Sequence, residues 1–235
     1  MRRVERAIIM AAGLGNRMRP VTLHTPKPLI KVNGKRMIDT IVDALKSQGI
    51  GEIYVVVGYK KEQFYSWAEE QSGIEIIENP YYDTCNNISS LYAAKEHLDN
   101  VIIIDGDQII YNEEILNPSF ERSGYNAVKI NTATDEWVMQ IDEEGIVTSC
   151  SRTGGDKGWQ LYSISRWTKE DGKKLKKYLE YEFDERKNRQ IYWDDIAMFC
   201  HFAAFKLGIY PMKREDICEI DGFDELIKID PSYRE

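Results

Sequence analysis

Apolar residues recur along the chain in two rhythms, and their alternation predicts the architecture. Arg6–Ala12 (RAIIMAA) is a short continuous apolar run ending in glycine, the pattern of a buried strand that opens into the loop from Gly13 to Arg17. From Met37 the apolar positions fall at Met37, Ile38, Ile41, Val42 and Leu45, which is one face of a helix, and Gly49 supplies its stop. Glu52–Val57 is β-branched and continuous, Lys61–Gln71 places Phe64, Trp67 and Ala68 on one helical side, and Ile74–Ile77 is a short strand. Ile88–His97 predicts another helix and Val101–Ile104 a further buried strand ending at Asp105-Gly106-Asp107.

Strand, helix, strand, helix, strand implies right-handed crossovers and a mostly parallel sheet. The fold class expected is therefore α/β, Rossmann-like, with helices flanking a central sheet. Ligands of such sheets bind beyond the carboxyl ends of the strands, so the Gly13 loop and the Asp107 turn should open onto one crevice.

The second half changes character. Ala127–Ile130, Val138–Ile141, Ile146–Ser149 and Gln160–Ser165 predict strands, with Asp142–Gly145 as a hairpin loop. Thr168–Asp184 and Asp194–Phe202 predict helices, and Ile217–Ile220 and Phe223–Ile229 a last strand and helix. No linker or repeat interrupts the chain. Residues 1–235 are expected to form a single domain, a nucleotide-binding core over 1–126 with a smaller mixed, β-rich acceptor-binding portion and the last core elements over 127–235.

Charge sharpens this picture. The net charge is −8, yet residues 1–36 hold nine basic residues and one acid, leaving 22 basic and 38 acidic residues for the rest. A nucleic-acid partner is not expected from so acidic a chain, whereas a small polyanion could be received at the basic head. No apolar run approaches the length needed to span a bilayer, no secretory leader is visible, and the four cysteines and three histidines are scattered. A reduced, cytoplasmic setting without membrane insertion is the expectation, and a homodimer is compatible with it.

Three motifs carry chemistry. Ala11-Ala12-Gly13-Leu14-Gly15-Asn16-Arg17, followed by Pro26-Lys27-Pro28-Leu29, joins a glycine loop whose N–H groups can approach phosphate to two cations, one of them stiffened between prolines. By itself a G-x-G is more often an ordinary turn; Met18 replaces the third glycine of a dinucleotide fingerprint, and no G-K-[ST] follows. Asp105-Gly106-Asp107 puts two carboxylates at a strand end, a compact site for a hard cation. Glu219-Ile220-Asp221 is a second acidic turn late in the chain.

Taken together, Met10–Leu29 resembles the nucleotidyltransferase signature L-A-A-G-x-G-x-R-[LM]-x-P…P-K-[PA]-L. Within that family Asn79-x-x-Tyr82-x-x-x-Asn86-Asn87-x-x-Ser90-Leu91, Gly58-Tyr-x-Lys-Glu-Gln-Phe64, Trp137 and Tyr192-Trp193-Asp194 are similar to the bacterial CTP:phosphocholine cytidylyltransferases. The resemblance implies that Ala11, Ala12, Gly13 and Gly15 hold the triphosphate, that Arg17 and Lys27 are the catalytic cations, and that Asn87 and Ser90 lie near the cytosine. It further implies Mg²⁺ on Asp107 and Asp221, with Asp105 beside them. Transfer would proceed by attack of the acceptor's phosphate oxygen on the α-phosphorus of CTP, releasing pyrophosphate without a covalent enzyme intermediate.

Aromatic content points to the acceptor. Trp137 and Tyr192 could wall a site for a quaternary ammonium, with Asp194 as counter-charge, while Trp193 should face the other way in an extended segment. For any single ring, simple packing is an equal alternative. CTP and a small phosphorylated amino alcohol, phosphocholine favoured, are the expected partners. Phosphoethanolamine or 2-aminoethylphosphonate is the nearest alternative, since Asp194, Asp195 and Glu136 could accept from a primary ammonium. A sugar 1-phosphate is a more distant one.

Overall fold

The computed structural model describes residues 1–234. Its principal strands are β1 (Arg6–Ala11), β2 (Glu52–Val57), β3 (Ile74–Glu78), β4 (Val101–Asp105), β5 (Gln108–Ile110), β6 (Gly124–Ile130), β7 (Val138–Ile141), β8 (Val147–Ser151), β9 (Gly158–Trp167), β10 (Gly208–Met212) and β11 (Ile217–Glu219). The helices are α1 (Met37–Ser47), α2 (Lys61–Glu69), α3 (Ile88–Ala93), α4 (Lys169–Glu180) and α5 (Phe223–Ile229).

Nine strands form one sheet in the order β8-β7-β9-β4-β1-β2-β3, with β6 pairing β9 and β10. The four strands β4, β1, β2 and β3 are mutually parallel, as the alternation of strands and helices predicts. Their continuous apolar runs arise because both faces are covered. Ala7, Ile9 and Ala11 pack with α1 and α2, while Ile8, Met10 and Ala12 pack with α3 and α4 on the opposite face. This is a Rossmann-like α/β fold; the small two-stranded sheets around it, such as β5 with β11, are antiparallel.

Strand β9 departs from the simple plan and shapes the crevice. Its Ile164–Trp167 half pairs antiparallel with β4, whereas Trp159 and Gln160 pair with β7. Ser163 therefore lies where the sheet splits, level with Asp105 at the carboxyl end of β4. The β7–β8 hairpin turns at the expected Asp142–Gly145 loop, with Gly145 in the left-handed region (φ 75°).

Three helical expectations are corrected. The helix from Ile88 ends at Ala93 and continues only as a 3₁₀ turn over Lys95–His97. The helix after Thr168 is regular to Glu180 and then widens into a π-type turn over Tyr181–Glu185. Asp194–Phe202 is not an α-helix but a π-type turn, Ile196–Cys200, followed by a 3₁₀ turn. α3 ends where the Ala94 N–H turns to the Leu91 carbonyl at 3.1 Å, a 3₁₀ contact, and the two π-type turns meet at Glu182, fully buried against His201 Nε2 (2.9 Å) and Asn188 Nδ2 (2.9 Å), a contact that periodicity does not encode. Strand β5 escaped prediction because three residues carry no period. No helix among the described residues is long and apolar enough to cross a membrane.

Candidate active site

The glycine loop leaves β1 and turns at Gly15, whose φ of 61° is left-handed. A Cβ there would lie 2.9 Å from Thr22 Cγ2 and 3.2 Å from Lys27 Cβ, so glycine lets the loop close onto the lysine. At Gly13 a Cβ would meet nothing within 4 Å, so its missing side chain preserves open space in the crevice.

Lys27 is almost buried, and its Nζ donates to Asp107 Oδ2 at 2.7 Å and to Asp221 Oδ1 at 3.2 Å. Arg17 is exposed and places Nη2 2.8 Å from the same Asp221 oxygen. Both cations thus rest on carboxylates. Dehydration alone would lower the Lys27 pKa, but the charges and hydrogen bonds of Asp107 and Asp221 more than offset it and leave it raised.

Strand pairing explains how Asp221 reaches Asp107 from so late in the sequence. β11 runs antiparallel to β5 with Glu219 opposite Gln108, and the Ile220 N–H approaches the Asp107 carbonyl at 3.4 Å. A small apolar cluster containing Met18, Ile30, Met37, Ile220 and Leu226 clamps this segment under the glycine loop. Asp107, Glu219 and Asp221 then offer carboxylate oxygens within 4.8 Å of one another. Asp107 Oδ1 is buried and has no hydrogen-bond partner among the described residues, which is the donor set and vacant valence a hard divalent cation requires. Glu219 belongs to the late acidic turn noted in the sequence, where only Asp221 was expected to hold the metal. In an extended segment its i, i+2 relation to Asp221 puts both on one side, and that was the available signal. Its carboxyl is pushed up to about 8, by desolvation first and then by repulsion from Asp107 and Asp221.

Two adjoining clefts meet at this cluster. The first, about 300 Å³, is lined by Ala11, Ala12, Gly13, Gly15, Arg17, Lys27, Asn87, Ser90, Asp105, Asp107 and Asp221, so every residue assigned from sequence to the nucleotide or metal borders it. The second, about 380 Å³, shares Arg17, Asn87, Asp105, Asp107 and Asp221 and adds Glu136, Trp137, Leu161, Ser163, Tyr192, Asp194 and Glu219. Trp137, Tyr192 and Asp194 therefore share one cavity. Asp105 is half-buried between the clefts; burial, then Asp107, Asp194 and Glu219, drives its pKa well above the ordinary carboxylate value, against a hydrogen bond from Ser163.

The aromatic wall has two members. Trp137 and Tyr192 meet edge-to-face at 5.9 Å, and Tyr192 is half exposed, whereas Trp193 is wholly buried and faces away as expected. Asp194 is 6 % exposed, and its Oδ1 has no hydrogen-bond partner among the described residues. Burial pushes its carboxyl up to about 7; the nearby Tyr125 hydroxyl offsets part of this without closing a hydrogen bond of normal geometry, and Asp195 adds repulsion. Asn87 Oδ1 accepts the Trp193 backbone N–H at 2.9 Å, which ties the two clefts together. Ser90 Oγ accepts from Asn79 Nδ2 at 3.1 Å.

A crevice of this kind, with two cations over a carboxylate cluster at strand ends, suits transfer of a nucleotidyl group. Residues 7–141 match the MobA-like NTP transferase domain, and the chain belongs to that nucleotidyltransferase family. Among its relatives is a 2-aminoethylphosphonate cytidylyltransferase of Lancefieldella rimae, 39% identical over 97% of this chain and 92% of that one. A choline-phosphate cytidylyltransferase of Streptococcus pneumoniae is 31% identical over 96% of each chain. The solved CTP:phosphocholine cytidylyltransferase of Streptococcus pneumoniae superposes with a TM-score of 0.89 at 31% identity, covering 97% of this chain and 98% of the other.

Proposed function

We propose that this enzyme is a cytidylyltransferase that joins CTP to a small zwitterionic phosphoryl acceptor, and that the acceptor's cation is a primary ammonium, as in 2-aminoethylphosphonate. The observation that carries the choice is Asp194. A buried carboxylate with an unpartnered oxygen is unfavourable unless it is protonated or joined by a cation. Asp194 lines the second cleft, where an ammonium can donate N–H to its carboxylate and a trimethylammonium cannot. Glu136 and Ser163 offer further acceptors in the same cleft. The relative from Lancefieldella rimae supports the reading independently.

Phosphocholine is the second reading, because the edge-to-face pair of Trp137 and Tyr192 gives a cation two ring surfaces. The relatives from Streptococcus pneumoniae support that alternative.

In either case the first cleft would take the triphosphate on the N–H groups of Gly13 and Gly15, and the acceptor's phosphoryl oxygen would attack the α-phosphorus. Lys27 and Arg17 would neutralise charge developing on the departing pyrophosphate, and no general base is needed because the acceptor is already ionised near pH 7. Asp107, Glu219 and Asp221 would hold Mg²⁺, which when bound supplies charge neutralisation between the phosphates.

Pyrophosphate release should be screened for four NTPs against 2-aminoethylphosphonate, phosphoethanolamine, phosphocholine and a sugar 1-phosphate. CTP with 2-aminoethylphosphonate is expected to give the highest kcat/KM, with about a tenfold loss when the nitrogen is trimethylated. Preference for phosphocholine would reject the ammonium assignment, and absence of turnover with CTP would reject the whole reading.

A further inference from the structure

Behind the aromatic wall stands a residue that borders neither cleft. Arg152 follows directly on β8, and its Nε donates to Asp195 Oδ1 at 3.0 Å, with Nη2 reaching the same oxygen. Its guanidinium lies 3.8 Å from the ring centroid of Phe199 and 5.7 Å from that of Trp137. Asp195 is 3 % exposed, and its other oxygen, Oδ2, accepts the Tyr192 backbone N–H at 2.9 Å. Phe199 meets Trp137 edge-on at 5.2 Å. One cation thus touches both supports of the wall: Asp195, which holds the Tyr192 backbone, and the rings that hold the Trp137 indole.

The placement has a structural logic. Trp137 immediately precedes β7 and Arg152 immediately follows β8, and the hairpin register pairs Val138 with Ser151, so both side chains flank the end of one ribbon. Tyr192, Asp194, Asp195 and Phe199 come from an irregular segment that no sheet pairing joins to that ribbon. Arg152 spans the gap with a charged hydrogen-bonded contact and a stacked one, for which a planar guanidinium is better suited than an ammonium. It also answers an electrostatic problem. Asp194 and Asp195 are adjacent buried carboxylates, and two like charges so close disfavour joint ionisation.

We propose that Arg152 is a positioning residue for the acceptor: it fixes the Trp137–Tyr192 wall and takes Asp195 as its partner, leaving Asp194 as the carboxylate that meets the acceptor's cation. This rests on the acceptor reading given above, but only for what the cleft binds. The link from Arg152 to the wall stands on its own contacts.

The test uses the full chain with Arg152→Gln and Arg152→Lys, assayed with the best acceptor of the wild-type enzyme. Arg152→Gln is expected to raise the acceptor KM about tenfold, while kcat and the KM for CTP stay within about twofold. Arg152→Lys should recover part of the loss. In ¹H–¹⁵N spectra, the Trp137 indole signal, identified by its disappearance in Trp137→Phe, should shift or broaden in Arg152→Gln. An unchanged acceptor KM, or equal losses in kcat and both KM values, overturns the proposal. Should the wild-type enzyme reject every amino-phosphoryl acceptor, the acceptor reading fails, and the indole signal decides alone: unmoved, it overturns the positioning role. If Arg152→Gln does not fold, Arg152→Met, which keeps the apolar stem and removes the guanidinium, carries the same expectations.

Discussion

Lys27→Met keeps the length of the side chain and removes its charge, and the consequences have opposite signs for stability and for metal response. The wild-type ammonium is 2.7 Å from Asp107 and 3.2 Å from Asp221, with its own side chain 10% exposed and the carboxylates 25% and 32% exposed. Removing one partner of a buried pair costs about 3–5 kcal/mol. Solvent screening at the partly open carboxylates reduces that to about 1–3 kcal/mol. For a chain of this size the Tm should fall by roughly 3–9 °C, measured by calorimetry in EDTA. Mg²⁺ should then stabilise the variant more than the wild type, because it restores positive charge where the lysine was lost. Turnover should fall about 100-fold or more, since the cation proposed to neutralise the departing pyrophosphate is gone. The Lys27 pKa is raised in the fold, so its contribution is fully present below the ordinary lysine value of 10.5 and is lost as pH climbs past the raised one. Lysine's own titration therefore leaves the Tm gap flat from about pH 7 to 8; above that the gap should widen, because Lys27 lowers the Glu219 carboxyl, which titrates at about 8. Equal Tm values in EDTA, an equal response to Mg²⁺, or near-normal kcat would refute this reasoning.

Two other perturbations probe separate parts of the site. With its carboxyl near 7, Asp194 is protonated below that pH and cannot meet a cation, so kcat/KM for the acceptor should drop as pH falls through 7. Asp194→Asn should lower kcat/KM at pH 8 and remove that limb; a limb that persists unchanged would assign it to another group, Glu219 first, whose carboxyl is pushed up to about 8. Gly15→Ala would place a methyl 2.9 Å from Thr22 Cγ2 in a left-handed backbone, costing about 1–3 kcal/mol in denaturant unfolding and lowering kcat through displacement of Lys27. Wild-type stability and turnover in that variant would mean that the loop relaxes freely.

Much of the parallel core was legible in the chain because its signals are local. Strands buried on both faces must be apolar throughout, as β1, β2 and β4 are, and α1 carries its apolar stripe at helical spacing. The glycine loop, Lys27 between its prolines and the acids at 105 and 107 likewise announce themselves within a few residues. Contacts between distant segments left no such trace. That Lys27 is held by Asp107 and Asp221 depends on a three-residue pairing of β5 with β11, too short to carry a period. That Glu219 joins the acidic cluster, that β9 divides its partners at Ser163, and that Arg152 reaches Asp195 are likewise products of packing. Local chemistry names the layers and most of the groups that border the crevice, because burial and backbone freedom act residue by residue. Which charges face one another emerges with packing, because the strength of a charge pair depends on separation and hydration, and both are set by the assembled fold.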